Sequence, residues 1–185
     1  MTDFEYLAIA YSLLFSATAL RLIGGLSHVF SRERRYGIHA AAVVIILCAT
    51  VQNFWALLSY RDLEWTFLRF IGLLAVPGTV YFIASTLIPD GPGLIESWER
   101  HYFEKRIQYF SGLVGWSLLT FLNTTYTLGM PLETPVRGVQ LGMLVMGLCG
   151  LISARPIVHK YIIGLAVVLV LAFGIITTNL YVAVG

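Results

Sequence analysis

Apolar residues run in six long stretches along this chain, at 4–26, 38–60, 66–88, 109–129, 136–152 and 161–184. Each is close to the ~20 residues that a helix needs to cross the hydrocarbon core of a bilayer. Polar and turn-forming residues collect in the joints between them. Arg61-Asp62-Leu63-Glu64 links the second stretch to the third. Met130-Pro131-Leu132-Glu133-Thr134-Pro135 links the fourth to the fifth, and Ser153-Ala154-Arg155-Pro156 the fifth to the sixth. Such short joints place consecutive helices side by side and antiparallel. The pattern predicts an all-α fold: a polytopic membrane bundle of six transmembrane helices forming a single domain over 1–185.

The joint between the third and fourth stretches is longer. It opens with the turn cluster Pro89-Asp90-Gly91-Pro92-Gly93 and continues through 94–108. There Leu94, Ile95, Trp98, Tyr102 and Tyr109 fall largely on one helical face. Glu96, Glu99, Arg100, Glu104 and Lys105 fall mostly on others, and Glu96 precedes Arg100 by the four residues that favour a helical ion pair. This predicts an amphipathic helix over 94–108 lying on the cytoplasmic surface. It divides the chain into two groups of three spans. An odd number of crossings in each group would set the halves in opposite orientation, the plan of many transporters and channels.

Composition agrees. A mean hydropathy of +0.80 and a hydrophobic share of 58% exclude a soluble domain, and six spans leave little of the 185 residues outside lipid. No soluble catalytic or nucleic-acid-binding domain fits in the remainder. The net charge of +2 is small, but its placement is informative. Arg32, Arg34, Arg35, Arg100, Lys105, Arg106, Arg155 and Lys160 fall in alternate joints, against Arg61 and Arg137 in the others. Positive charge in short loops marks the cytoplasmic side, so both termini are expected outside. The acidic start at Asp3 and the length of the first stretch argue against a cleaved signal sequence. Cys48 and Cys149 stand singly inside spans, where free cysteine acts as a small hydrophobe.

One run of residues carries a resemblance. Gln52-Asn53-Phe54-Trp55, Asp62-Leu63-Glu64-Trp65 with Phe67, then Pro77, Tyr81, Ala84 and Ile88-Pro89, and finally His101-Tyr102-Phe103 with Arg106 and Tyr109-Phe110, resemble a group of small uncharacterised multi-span proteins of bacterial inner membranes. The resemblance covers the second to fourth spans. It implies a bacterial inner-membrane protein and brings no activity or catalytic residue with it.

Polar residues inside lipid are the candidate chemistry. Asn53, Asn123, Gln140 and Asn179 fall toward the outer halves of spans two, four, five and six, in one layer with Thr124, Thr125, Thr177 and Thr178. Lipid offers such groups no partner, so they face one another or a hydrated cavity. Arg69 stands at the edge of this layer. It either reaches for the headgroups, as Arg21 would at the opposite face, or turns inward toward an anionic group. Pro77-Gly78 at the centre of span three predicts a kink that could serve as a gate. Gly138 and Gly142 have the spacing that lets two helices approach closely, with Ala8, Ser12 and Ser16 of the first span as a possible counterpart. His28, His39, His101 and His159 all map to the cytoplasmic boundary. They are either interfacial residues near headgroups or a metal site completed by Glu96, Glu99 or Glu104.

Three functions stand open on these residues. The first is an oligomeric channel or transporter for an ion or small polar solute. The second is a non-catalytic subunit of a larger membrane complex, and the third a metal- or haem-dependent membrane enzyme. The partners implied are the bilayer and other membrane subunits, with no nucleic acid; the cofactor is left unspecified. Phosphate-binding loops and Gly-x-Ser-x-Gly nucleophile turns are absent from the sequence.

Overall fold

The computed structural model describes residues 2–182, with side chains through Thr178, and those residues form helices and turns without strands. Seven α-helices follow one another: α1 (Asp3–Val29), α2 (Gly37–Ala56), α3 (Phe67–Leu87), α4 (Trp98–Glu104), α5 (Arg106–Leu122), α6 (Pro135–Ile152) and α7 (Pro156–Val182). Five segments built on α1, α2, α3, α6 and α7 are long and apolar enough to cross a membrane. The fourth expected span is built differently. Its α-helix stops at Leu122, and Asn123–Thr127 continue it as a wide π turn.

Local signals explain the ends. Thr2 and Glu5 form a reciprocal capping box at the start of α1, satisfying two of the amides that a helix N-terminus leaves open. Thr66 and Ser97 cap α3 and α4 through their hydroxyls. Pro135 and Pro156 each occupy the first helical position of α6 and α7, where the missing N–H costs nothing. α7 therefore begins five residues before the expected 161. Pro77 sits inside α3 and the helix runs unbroken through it, so Pro77 and Gly78 do not interrupt the span.

The long helices close a ring. α1 packs on α2, α2 on α7, α7 on α6, α6 on α5, α5 on α3, and α3 returns to α1. Contacts at both ends show that α1 and α3 run in the same direction. Tyr6 of α1 stacks on Phe70 of α3 at one end; Arg21 of α1 bonds to the Ile88 carbonyl, 2.7 Å, and pairs with Asp90, 2.8 Å, toward the other. Arg21 is thus a clamp on the end of α3, where a side chain reaching freely for headgroups was expected. The two groups of three helices differ in packing. In the first, α1 touches both α2 and α3, whereas in the second α6 lies between α5 and α7.

The glycine expectation is met only in part. A Cβ on Gly142 would lie 2.8 Å from Leu169 of α7, while one on Gly138 would meet nothing within 4 Å. The tightest approach on α6 is further along. A Cβ on Gly147 would lie 2.8 Å from Val114, and Gly150 lies directly under the ring of Phe110 on α5. α6 packs against α5 and α7, away from the small residues of α1. Cys48 and Cys149 are free thiols on the outside of the bundle.

The expected surface helix over 94–108 is replaced by a shorter, buried one. Residues 95–97 are extended, α4 covers Trp98–Glu104, and Lys105 breaks the path before α5. Trp98, His101 and Tyr102 of α4 are buried against the end of the bundle. The ion pair that forms is Arg100–Glu104, 2.8 Å, in place of Glu96–Arg100.

Candidate functional site

A cavity of about 130 Å³ lies inside the ring, with lining residues from all six long helices. This is close to the roughly 150 Å³ of an engineered protein cavity that accepts benzene. Its wall is largely aliphatic and aromatic, interrupted by a few polar side chains. Asn53, Asn123 and Gln140 are among them. Three of the four amides singled out in the sequence therefore converge on one space. The side chain of Asn179 lies outside the described residues.

Each amide is held in place by backbone. Asn123 donates one N–H to the carbonyl of Gly72 on α3 and the other to Leu119 on its own helix, both at 2.9 Å. Gly72 is needed there: a Cβ would stand 3.3 Å from the Asn123 amide oxygen. Asn53 donates to Ala49 in its own helix. Gln52, also in the wall, crosses to α7 and donates to the Val170 carbonyl at 2.8 Å. The threonines of the layer bond back to carbonyls three or four residues earlier, a habit that loosens helices. Thr120, Thr124 and Thr125 do so where α5 widens into its π turn.

The cation at this end is Arg137, not Arg69. Arg69 donates to the Glu64 carbonyl at 2.7 Å, within its own N-terminal turn, and lines no part of the cavity. Arg137 is only 8% exposed. Its Nη1 donates to Thr124 Oγ1, 2.7 Å, and Gln140 Oε1, 3.0 Å, with Phe121 O at 3.3 Å; Nη2 donates to Met130 O, 2.7 Å, and Nε to Pro131 O, 3.4 Å. Its guanidinium also lies 4.6 Å from the centre of the Phe121 ring. Gln140 completes the knot by donating to Thr124 Oγ1 at 3.1 Å. One side chain thus ties the joint after α5 to the start of α6 and stands behind two residues of the cavity wall. Arg137 had been counted among the loop charges, yet its position three residues before Gln140 puts the two on one helical face.

At the opposite end the histidines are buried, not arranged at a headgroup surface. His39 and His159 are fully enclosed and His101 nearly so, while His28 is exposed. His39 stacks on Trp98 with ring centres 4.7 Å apart, and His101 meets both rings edge-on. Trp98 donates its indole N–H to His28 O at 3.0 Å. His159 donates from Nε2 to Ser153 O, 2.9 Å, leaving Nδ1 to accept the Tyr102 hydroxyl at 3.0 Å. His101 donates from Nε2 to Thr86 O at 3.0 Å. Both ring nitrogens of His39 are buried without a partner. Among the described residues, no group of three or more His, Cys, Asp or Glu is placed to hold a metal ion. The four imidazoles and Glu96, Glu99 or Glu104 do not form a ligand set. His39, His101 and His159 form, with Trp98 and Tyr102, an aromatic plug at this end of the bundle.

The plug has a defined response to acid. Burial holds the His101 imidazole below its ordinary value, Lys105 pushes the same way, and the bond to Thr86 O opposes them. The unfolded chain therefore binds the proton more readily, and stability rises with pH wherever the two states differ in protonation. The contribution of neutral His101 is complete above the unfolded value near pH ~6.5 and is lost as the pH falls below it. Acidification from pH 7.5 to 5 is expected to lower the thermal midpoint by about 2–4 °C, the shift that ~1 kcal/mol produces in a chain of this size. His101→Gln should flatten that part of the profile in a melt followed by tryptophan fluorescence.

No protein-family model, curated protein or solved structure matches the chain. The functional reading therefore rests on this geometry alone.

Proposed function

We propose that the chain is a six-span membrane protein of the bacterial inner membrane that carries or conducts an ion or small polar solute through its central cavity. The sixth span is α5 with its π turn, which together keep helical backbone from Arg106 to Thr127. The basic joints put the histidine plug on the cytoplasmic side, and the amide layer with both termini on the other. The two triplets then cross in opposite senses.

The observation that carries this reading is the convergence of Asn53, Asn123 and Gln140, from three different segments, on a single space inside the ring. Amides that served only to glue helices together would bond one another across a closed seam. Here Asn53 reaches no further than its own helix, yet stands in the cavity wall. A polar side chain is costly in an apolar surround unless it meets a partner, and a transient solute or its water supplies one. The histidine plug stands toward one end of the bundle and the Arg137 knot toward the other. That is the layout a carrier or gated pore requires.

Purified protein in liposomes tests the proposal. Wild type should raise the flux of at least one small ion or polar solute above protein-free vesicles. Asn53→Leu, which breaks no interhelical bond, should slow that flux roughly tenfold, equivalent to about 1.4 kcal/mol of lost solute interaction, with its melting temperature unchanged. Wild-type vesicles as tight as empty ones to every small ion and solute would refute the reading.

A further inference from the structure

We infer that the cavity is built for a compact monovalent anion, received by the indole N–H of Trp116 and the hydroxyls of Tyr11 and Tyr60 in the field of Arg137. The inference rests on the cavity being the solute site and assigns the charge and size of what enters it.

Donors without partners are the first observation. Trp116 lines the cavity, is 3% exposed, and its indole nitrogen is buried without a hydrogen-bond partner. An indole can only donate, and a buried donor left unmet is expensive. Tyr11 and Tyr60 also line the cavity and are buried. The wall thus offers hydrogen atoms to whatever occupies the space. Asn123 adds nothing to this supply, since both of its N–H groups are already given to backbone.

Charge is the second, independent observation. No Asp or Glu lines the cavity. The ion pairs among the described residues, Arg21–Asp90 and Arg100–Glu104, belong to the plug end. Every hydrogen bond of buried Arg137 ends on a neutral oxygen, so its charge is dispersed over dipoles and not cancelled. That charge sits immediately behind Thr124 and Gln140 of the wall. A cation entering the cavity would meet like charge with no carboxylate to offset it, whereas an anion meets attraction that the low-dielectric surround amplifies.

Volume sets the size. A cavity of about 130 Å³ admits a halide, nitrate, thiocyanate or short monocarboxylate and excludes a nucleotide or sugar phosphate. The apolar remainder of the wall cannot replace a tight hydration shell, and burying a charge without full solvation is costly. Weakly hydrated anions are therefore favoured over strongly hydrated ones of similar radius.

The test uses the full chain in liposomes loaded with potassium salts, with valinomycin carrying potassium so that efflux reports the counter-anion. Thiocyanate and nitrate should leave faster than chloride, and chloride faster than fluoride. Trp116→Phe and Tyr60→Phe, which keep the rings and remove one donor each, should slow nitrate efflux roughly tenfold, the factor that about 1.4 kcal/mol represents, without lowering the melting temperature. Flux of sodium or of a neutral polyol, with no anion flux, would leave the solute reading in place and overturn the anion assignment. If no solute moves at all, the carrier reading falls, and titration calorimetry of nitrate into the detergent-solubilised protein decides the site separately. Binding that is weakened by Trp116→Phe upholds it, and absence of binding overturns it.

Discussion

Replacing Arg137 with methionine is expected to cost about 3 kcal/mol of stability, because it takes the shared donor from several buried and part-buried acceptors at once. The carbonyls of Phe121, Met130 and Pro131 and the amide oxygen of Gln140 all lean on that guanidinium. Methionine fills a similar volume, so packing changes little and the loss is polar. Lysine should rescue only part of it, since one ammonium cannot reach acceptors spread around a planar fork. Gln140→Met removes a single member of the knot and should cost about 1 kcal/mol. Unfolding in mixed detergent micelles, monitored by circular dichroism, would give the ranking Arg137→Met, then Arg137→Lys, then Gln140→Met. An Arg137→Met protein as stable as wild type would show the knot to be ornamental.

Trp98→Ala should be at least as damaging, at about 3–5 kcal/mol. The indole is fully buried, stacked on His39 and edge-on to His101. It also joins α4 to the end of α1 through the His28 carbonyl. α4 has only seven residues, too few to persist as a helix by itself, so its order depends on this anchor. The damage should be local as well as global. Hydrogen exchange across 97–105 should accelerate, and trypsin should gain access at Arg100 and Lys105, while the long helices stay protected. Trp98→Phe keeps the stack, loses one hydrogen bond, and should cost only about 1 kcal/mol.

What the chain declared in advance was length and apolarity, since those follow from the solvent and not from the partner. The starts and ends of α2, α3 and α6 fall within a few residues of the expected limits for that reason. The gathering of all four histidines at one end followed from counting spans. The burial of His39, His101 and His159 did not follow, because it depends on α4 folding against the bundle, a tertiary choice that the amphipathic pattern of 94–108 does not encode. That pattern placed Trp98 and Tyr102 together correctly but gave their face to lipid. Leu94, assigned to the same face, is 86% exposed.

The amide layer was legible because a side-chain amide in an apolar span has few explanations. Arg137 was not, because an arginine beside a proline-marked joint is counted as a loop charge by any rule based on topology. Arg69 misled for the opposite reason. It stands inside an apolar stretch, but Thr66 and the Glu64 carbonyl hold it in the first turn of α3. Glycine spacing likewise named the right helix and the wrong contact, since Gly147 and Gly150 carry the approach to α5. The indole donor of the cavity gave no signal at all, because a tryptophan in a span is ordinary and only its missing partner sets it apart.

The widened turn at Asn123–Thr127 holds one residue more per circuit than its neighbours, the form a single inserted residue takes when a helix absorbs it. Removing one threonine from this stretch would let the segment rewind to the common pitch. Because the wide turn takes up the added residue, the segment beyond it would keep its bearing, and Met130 and Pro131 would stay against the Arg137 guanidinium. The turn is therefore a register key: it fits one more residue between Asn123 and the next rod without turning either away.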